Sequence, residues 1–127
     1  MGRNVVMSQN AGKTGPYSHA ADADGFVFLS GQTPIDPATG QLVQGDIAVQ
    51  TRQSFSNLFH VLEEAGLTPD DVQKVNVYLT DMNDFEAMNA VYAEQFSEPY
   101  PARSTVGVTA LVGGAKIEIE MTARRSR

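Results

Sequence analysis

Cysteine is absent from the chain, so there is no disulfide, no thiolate nucleophile and no sulfur ligand for a metal. Histidine is nearly absent too. His19 and His60 are the two present, they lie in separate elements, and no H-x-H or H-E-x-x-H spacing exists, which argues against a zinc or iron enzyme. Positive charge is scarce as well. Nine lysines and arginines face fifteen aspartates and glutamates, giving a formal net charge of −6 and an isoelectric point near 4.7. A protein that grips nucleic-acid phosphates needs the opposite balance, because its affinity rests on Lys and Arg displacing counterions. The one basic cluster, Arg124, Arg125 and Arg127, reads as a solvated end. No apolar run approaches the roughly 18 residues a membrane span needs, and the first residues lack a signal-peptide core. A cytoplasmic, soluble protein with no membrane partner is the expectation.

What remains is the composition of an ordinary globular protein. The chain has 127 residues, 42% of them hydrophobic and 19% charged, which suits a single domain over residues 1–127 with one core.

Residues 4–7 read as a short strand and 9–15 as a polar loop. Residues 17–22 and the apolar 26–29 read as two more strands, joined by Asp24-Gly25, a favoured hairpin turn because both residues tolerate positive φ. Ser30-Gly31-Gln32-Thr33-Pro34 is expected to break the strand and open a long loop through Asp36-Pro37-Ala38-Thr39-Gly40. Asp46 is a candidate N-cap for a helix whose Ile47, Phe55, Leu58, Leu62 and Ala65 share one face, with Gly66 as the stop. His60 falls off that stripe and is expected at the surface. Thr68-Pro69-Asp70-Asp71 has capping-box character, ahead of a strand in which Val75, Val77 and Leu79 alternate with Asn76, Tyr78 and Thr80. Asn83 with Glu86 signals a second helix carrying Phe85, Met88, Asn89, Tyr92 and Phe96 along one side. Asn89, the polar member of that stripe, is either a satisfied core amide or a site residue.

For the last two strands the alternation predicts a hairpin closed by Gly113-Gly114, with Val112 opposite Ala115, Ala110 opposite Ile117, Val108 opposite Ile119 and Val106 opposite Met121. The other face then collects Arg103, Thr105, Thr109, Glu118, Glu120 and Thr122. A guanidinium that forks onto a carboxylate, with a carboxyl that handles a proton, is a minimal kit for acting on a small organic acid. The plainer alternative is that Arg103 starts a strand in an ordinary salt bridge. Along this ladder Arg103 and Glu118 stand about six residues apart, on the order of 20 Å at roughly 3.3 Å per residue. A site using both therefore recruits one of them from a neighbouring subunit. The element order β-β-β-α-β-α-β-β implies an α+β architecture, two helices on one face of a mainly antiparallel sheet, with the other face covered by self-association.

An ordered set of short motifs resembles the RidA family of enamine/imine deaminases, also called YjgF. The set comprises Gly15-Pro16-Tyr17-Ser18, Ser30-Gly31-Gln32, Asp36-Pro37, Thr39-Gly40, Gln50-Thr51, Asn57-Leu58, Ala65-Gly66 and Lys74. It continues through Asp81-Met82-Asn83-Asp84-Phe85, Asn89-Ala90-Val91-Tyr92, Pro101-Ala102-Arg103-Ser104 and Ile117-Glu118-Ile119-Glu120, so it covers nearly the whole chain. The resemblance implies a chorismate-mutase-like fold, with a six-stranded sheet and three clefts between the subunits of a homotrimer. It implies hydrolysis of the imine forms of 2-aminoacrylate and 2-aminocrotonate to 2-oxo acids and ammonia, without cofactor or metal.

By the same resemblance Arg103 holds the substrate carboxylate, the Gly31 backbone N–H adds a second contact, and Glu118 orients water and protonates the leaving amine. Tyr17 walls the pocket, and Asn89, Ser30 and Phe85 line it. Thr105 stands where many relatives carry cysteine, which suits lining better than nucleophilic attack. Glu120 shares a face with Glu118 by alternation, but the match favours Glu118. Two departures stand out: His19 replaces a usual glutamine on what reads as Tyr17's strand face, where it could tune the cleft but a surface role is expected, and Val112-Gly113-Gly114 replaces a Leu-Pro-Lys-Gly type of turn. Two other functions compete with the deaminase: a non-enzymatic carboxylate-binding or chaperone-like trimer, and a ribonuclease or translation inhibitor. The acidic balance and the lack of paired histidines argue against the last.

Overall fold

A computed structural model describes residues 2–126; Arg127 of the basic cluster lies outside them. The strands are β1 (Asn4–Val6), β2 (Ala20–Ala23), β3 (Phe26–Gln32), β4 (Ile35–Asp36) and β5 (Gln41–Leu42), then β6 (Val72–Leu79), β7 (Ala102–Gly107) and β8 (Ile117–Arg124). Helix α1 (Ile47–Glu64) precedes β6, and α2 (Phe85–Gln95) joins β6 to β7. Six strands form one sheet in the order β1-β2-β3-β8-β6-β7, and β4 and β5 pair as a separate small hairpin inside the expected loop. Every neighbouring pair in the large sheet is antiparallel except β6 and β7, which are parallel.

Local chemistry accounts for the element ends. Asp24 and Gly25 have φ of 53° and 88°, the two positive values that a tight hairpin between β2 and β3 requires. The Asp46 side chain accepts from the Val49 N–H at 3.0 Å, capping α1. At the other end Gly66 has φ 75°, and its N–H donates to Glu63 O while that of Leu67 reaches Leu62 O, closing the helix in a Schellman motif. Thr68 and Asp71 form the capping box on a short 3-10 turn, Pro69–Asp71. At α2 the cap differs from expectation: Asp81, not Asn83, accepts at the start of a 3-10 turn, Met82–Asp84, that leads into the helix.

The core lies between the sheet and the helices. Val75, Val77 and Leu79 of β6 and Ile117, Ile119, Met121 and Ala123 of β8 meet Phe55, Leu58, Val61 and Leu62 of α1, all buried. The Phe55 ring sits 5.6 Å from those of Phe59 and Tyr92 and 5.7 Å from that of Phe96, locking α1 to α2. Each such buried side chain contributes about 1.5–3 kcal/mol, and Leu58→Ala, cutting a cavity at their centre, costs about 2–5 kcal/mol.

The expected β7–β8 hairpin does not form. β6 lies between the two strands, and Gly113 and Gly114, with φ of 70° and 77°, sit in a 3-10 turn, Val112–Gly114. Val106, paired with Tyr78 on the open face (46% exposed), and Val112, beyond the point where the chain leaves the sheet at Gly107 (65% exposed), are not core residues. The apolar alternation that suggested the hairpin is continued on β8 alone, whose buried face takes partners on both edges, β3 and β6. Register then overturns the expected common surface. Arg103 pairs with Val75 and Thr105 with Val77, which places them on the helix side, because paired residues share a face. Glu118 pairs with Tyr78 and Glu120 with Asn76, on the opposite, open side.

Two further expectations change. β2 begins at Ala20 rather than at residue 17, and β3 runs on through Ser30-Gly31-Gln32. The C-terminal arginines are not a free tail: Arg124 lies 5.5 Å from the centre of the Phe26 ring. Arg125 donates to Asp22 at 2.7 Å and to Ala65 O at 2.6 Å. That contact holds the Asp22 carboxyl below its ordinary range.

Candidate active site

The expected site residues fall into two groups on opposite faces of the sheet. The first surrounds Arg103 on edge strand β7, at a cavity of about 420 Å³ lined by Asn89, Tyr92, Ala93, Tyr100, Pro101 and Arg103. Asn89 lies on α2, which the β6–α2–β7 connection carries over the strand. Its Oδ1 accepts from Arg103 Nη1 at 2.6 Å, so this amide lines the cavity and is not a satisfied core amide. The guanidinium carbon stands 4.6 Å from the Tyr92 ring centre and 5.6 Å from that of Phe85, within cation–π range. Among the described residues no carboxylate pairs with it, which sets aside the ordinary salt bridge and leaves donors of its planar fork open to an anion. Thr105, two residues on, shares the face, and its hydroxyl is buried without a partner, as is that of Tyr92. Burial raises the Tyr92 pKa against the opposing pull of Arg103. The apolar stripe marks Tyr92 only as core; its spacing three residues from Asn89 is the signal that points to the site.

The second group surrounds Glu118 on the open face, at a cavity of about 410 Å³ that Thr14, Tyr17, Ser30, Gly31, Thr33, Val112, Glu118 and Glu120 line. A bulge builds it. Leu29 pairs with Met121 but Gln32 with Ile119, so Ser30 and Gly31 together oppose Glu120, and the extra residue turns Gln32 into the core while re-aiming its neighbours. At Gly31 the Glu118 side chain lies so close that an added Cβ would meet its Oε2 at 2.5 Å; glycine is needed here for room. Ser30 donates from Oγ to Ser18 O at 2.7 Å, and the Tyr17 hydroxyl accepts from the Thr14 N–H at 3.0 Å. The first bond ties the 14–18 loop to the bulge, and the second closes the loop on itself.

The two carboxylates of this face differ in their partners. Glu120 accepts from the Asn76 amide at 3.3 Å and from the Tyr78 hydroxyl in a short contact. Glu118 has no comparable donor among the described residues, and burial, reinforced by the charge of Glu120, pushes its pKa above the ordinary carboxylate value. Such an acid keeps its proton to higher pH than a free glutamate does, as proton transfer near neutrality requires.

His19 is neither at the surface nor beside Tyr17. It is 3% exposed; its Nδ1 accepts from the Ser8 N–H at 3.0 Å and its Nε2 lies 3.0 Å from Gly12 O. These contacts require the neutral Nε2–H tautomer. Gln32 brackets Gly12 with a further pair of bonds, so His19 anchors the 8–12 loop at a separate cavity. His60 is part-exposed and bonds to Asn10 O through Nδ1 at 3.0 Å. Among the described residues no group of three or more His, Asp or Glu is placed to hold a metal, and no helix is long and apolar enough to cross a membrane.

The family model described as Endoribonuclease L-PSP matches residues 7–125. A RutC family protein of Pyrococcus horikoshii is 52% identical over 122 residues, which is 95% of this chain and 97% of that relative. The Homo sapiens protein named 2-iminobutanoate/2-iminopropanoate deaminase is 40% identical over 122 residues, 95% of this chain and 89% of that protein. The crystal structure of E. coli TdcF with bound serine matches with a TM-score of 0.91 at 40% identity, over 97% of this chain and 99% of that one. The chain belongs to the RutC/RidA family, and its six-stranded mixed sheet with two helices is the fold of that family.

Proposed function

We propose, with that membership as the premise, that the chain hydrolyses small 2-imino acids, those derived from 2-aminoacrylate and 2-aminocrotonate, to 2-oxo acids and ammonia in clefts shared between the subunits of a homotrimer. The observation that carries this reading is the division of the site: a guanidinium without a carboxylate partner among the described residues on one face of the sheet, and on the other a half-buried glutamate over Gly31 whose pKa burial raises. Neither half acts alone on a molecule this small. One copy offers the anion grip of β7 and α2, and another offers the acid of β8 and the β3 bulge. A relative named as an imine deaminase and another crystallised with serine support a small amino-acid-like substrate.

The chemistry asks little of the protein, because an imine carbon is already electrophilic. Arg103, oriented by Asn89, forks onto the substrate carboxylate, with the Gly31 N–H as a further contact. Glu118 gives its proton to the imine nitrogen and, as a carboxylate, takes one from the water that adds to C2. It then passes that proton to the amine of the tetrahedral adduct. The C–N bond breaks, the adduct's hydroxyl returns its proton to the Glu118 carboxylate, and the 2-oxo acid and ammonia leave. Tyr17, Ser30, Thr105 and Phe85 shape the pocket, and no cofactor enters.

Subunit mixing tests the reading. Arg103→Ala and Glu118→Gln are each expected to abolish pyruvate release from dehydratase-generated aminoacrylate. Co-refolded at equal ratio they regain about a quarter of wild-type activity, since a cleft between copies draws its halves independently. No recovery in mixed trimers places both groups in one chain. 2-Oxo acid binding without any turnover by the wild type makes the protein a carboxylate binder instead.

A further inference from the structure

The open face carries a polar pair that the site has not absorbed. Tyr78 stands on β6 directly across from Glu118 in the register, yet its hydroxyl reaches past that residue to Glu120, which also takes the amide of its own cross-strand partner Asn76. Both glutamates line one cavity. We propose that Tyr78 and Asn76 are positioning residues: they fix Glu120 as a standing carboxylate, so that of the two acids on this face Glu120 keeps the charge and Glu118 carries the mobile proton.

Two donors aimed at one carboxyl favour its ionised form, and a carboxyl with no donor, half-buried beside that anion, favours its neutral form. Within one chain the other neighbours do not undo this, and the Arg103 that another copy brings to the proposed cleft forks onto the substrate carboxylate rather than onto Glu118. Lys74 lies on the same face of β6, paired with Thr122 beyond Glu120, and exposed Lys116 precedes β8; among the described residues neither forms a salt bridge with Glu118. Ser104 and Val106 of β7, Ser30 and Gly31 of β3, and Thr14 and Thr33 carry no charge. Tyr17 is a phenol already engaged as an acceptor, and Lys13 sits 5.9 Å from its ring centre. Tyr78 is itself pushed up to about 12, first by its bond to Glu120, so it stays a donor throughout the working range.

This inference rests on the proposed deaminase for the use of the proton, but not for its location, and the experiment separates the two. Side-chain carboxyl carbons of Glu118 and Glu120 are titrated by NMR in wild type, Glu120→Gln and Tyr78→Phe, with the amide spectrum reporting the fold of each. The higher midpoint is expected at Glu118. It falls by about 0.5–1 pH unit in Glu120→Gln, and the Glu120 midpoint rises by a similar amount in Tyr78→Phe. In the kcat/KM profile, the limb set by Glu118 moves to lower pH in Glu120→Gln. A higher midpoint at Glu120 in the wild type, or midpoints that neither variant moves, overturns the assignment. Tyr78→Phe removes a single oxygen and decides the question if Glu120→Gln does not fold. A wild type without deaminase activity defeats the proposed function and leaves the titration to decide this point.

Discussion

Around Arg103 every neighbour restrains a charge, whereas around Glu118 the neighbours leave a carboxyl able to change its own. Two aromatic faces and an amide hold the guanidinium from a helix, and an arginine stays protonated whatever surrounds it. Glu118 instead lies over a glycine in a strand bulge, half-buried, with an anion beside it. The first arrangement suits a grip, which must not vary, and the second suits a proton carrier, which must. Placing them on opposite faces keeps the cation from neutralising the acid within one chain.

Exchanging cation type breaks the comparison most severely. Arg103→Lys keeps the charge but loses the planar fork and its fit between the rings, and kcat/KM for the imine is expected to fall about 10²–10³-fold, measured by coupled pyruvate release. Glu118→Gln should lower kcat about 10²-fold or more while calorimetry still registers 2-oxo acid binding. Its stability effect has a fixed sign. The folded pKa of Glu118 is raised, so the carboxyl's contribution to folding is complete below its unfolded value and is lost as pH rises through the folded one. The variant should therefore gain in Tm over wild type from acid to neutral pH; a gap that narrows would contradict the burial described.

Gly31→Ala sharpens the contrast between placement and stability. The new methyl displaces the end of a flexible side chain, so a loss of about 10-fold or more in kcat should accompany only a small change in Tm. Equal damage to both would mean that the bulge itself had collapsed. The smallest effect belongs to Asp22→Asn, outside both pockets. Asp22 is held low by Arg125, so its contribution is present above the unfolded value and disappears as pH falls through the folded one. Wild type and variant should differ in Tm at neutral pH, converge in acid and share one kcat.

Much of the scaffold was legible residue by residue because its signals are local. Asp46, Gly66, Asp24-Gly25 and the Thr68–Asp71 box act within a few positions, and each does in the fold what its chemistry suggests. Arg103, Asn89, Glu118 and Gly31 were legible as types. His19 defied its expected place because a ring satisfied by the backbone of a distant loop leaves no local mark. The β7–β8 hairpin failed because an apolar alternation states that a strand has two unlike faces, not which strand it meets. The bulge at Ser30-Gly31 was invisible for a related reason: one extra residue reverses the face of everything after it.

The sequence alone determined the helices, most of the turns, the family and the chemical kit of one fixed cation and two acids, since these depend on neighbours in the chain or on side-chain identity. Only the tertiary structure decided that β6 separates β7 from β8, that cation and acid face opposite ways, and that Glu120 rather than Glu118 is the bonded carboxylate. Strand pairing and burial are contacts between residues far apart along the chain, and a period of two fits more than one partner.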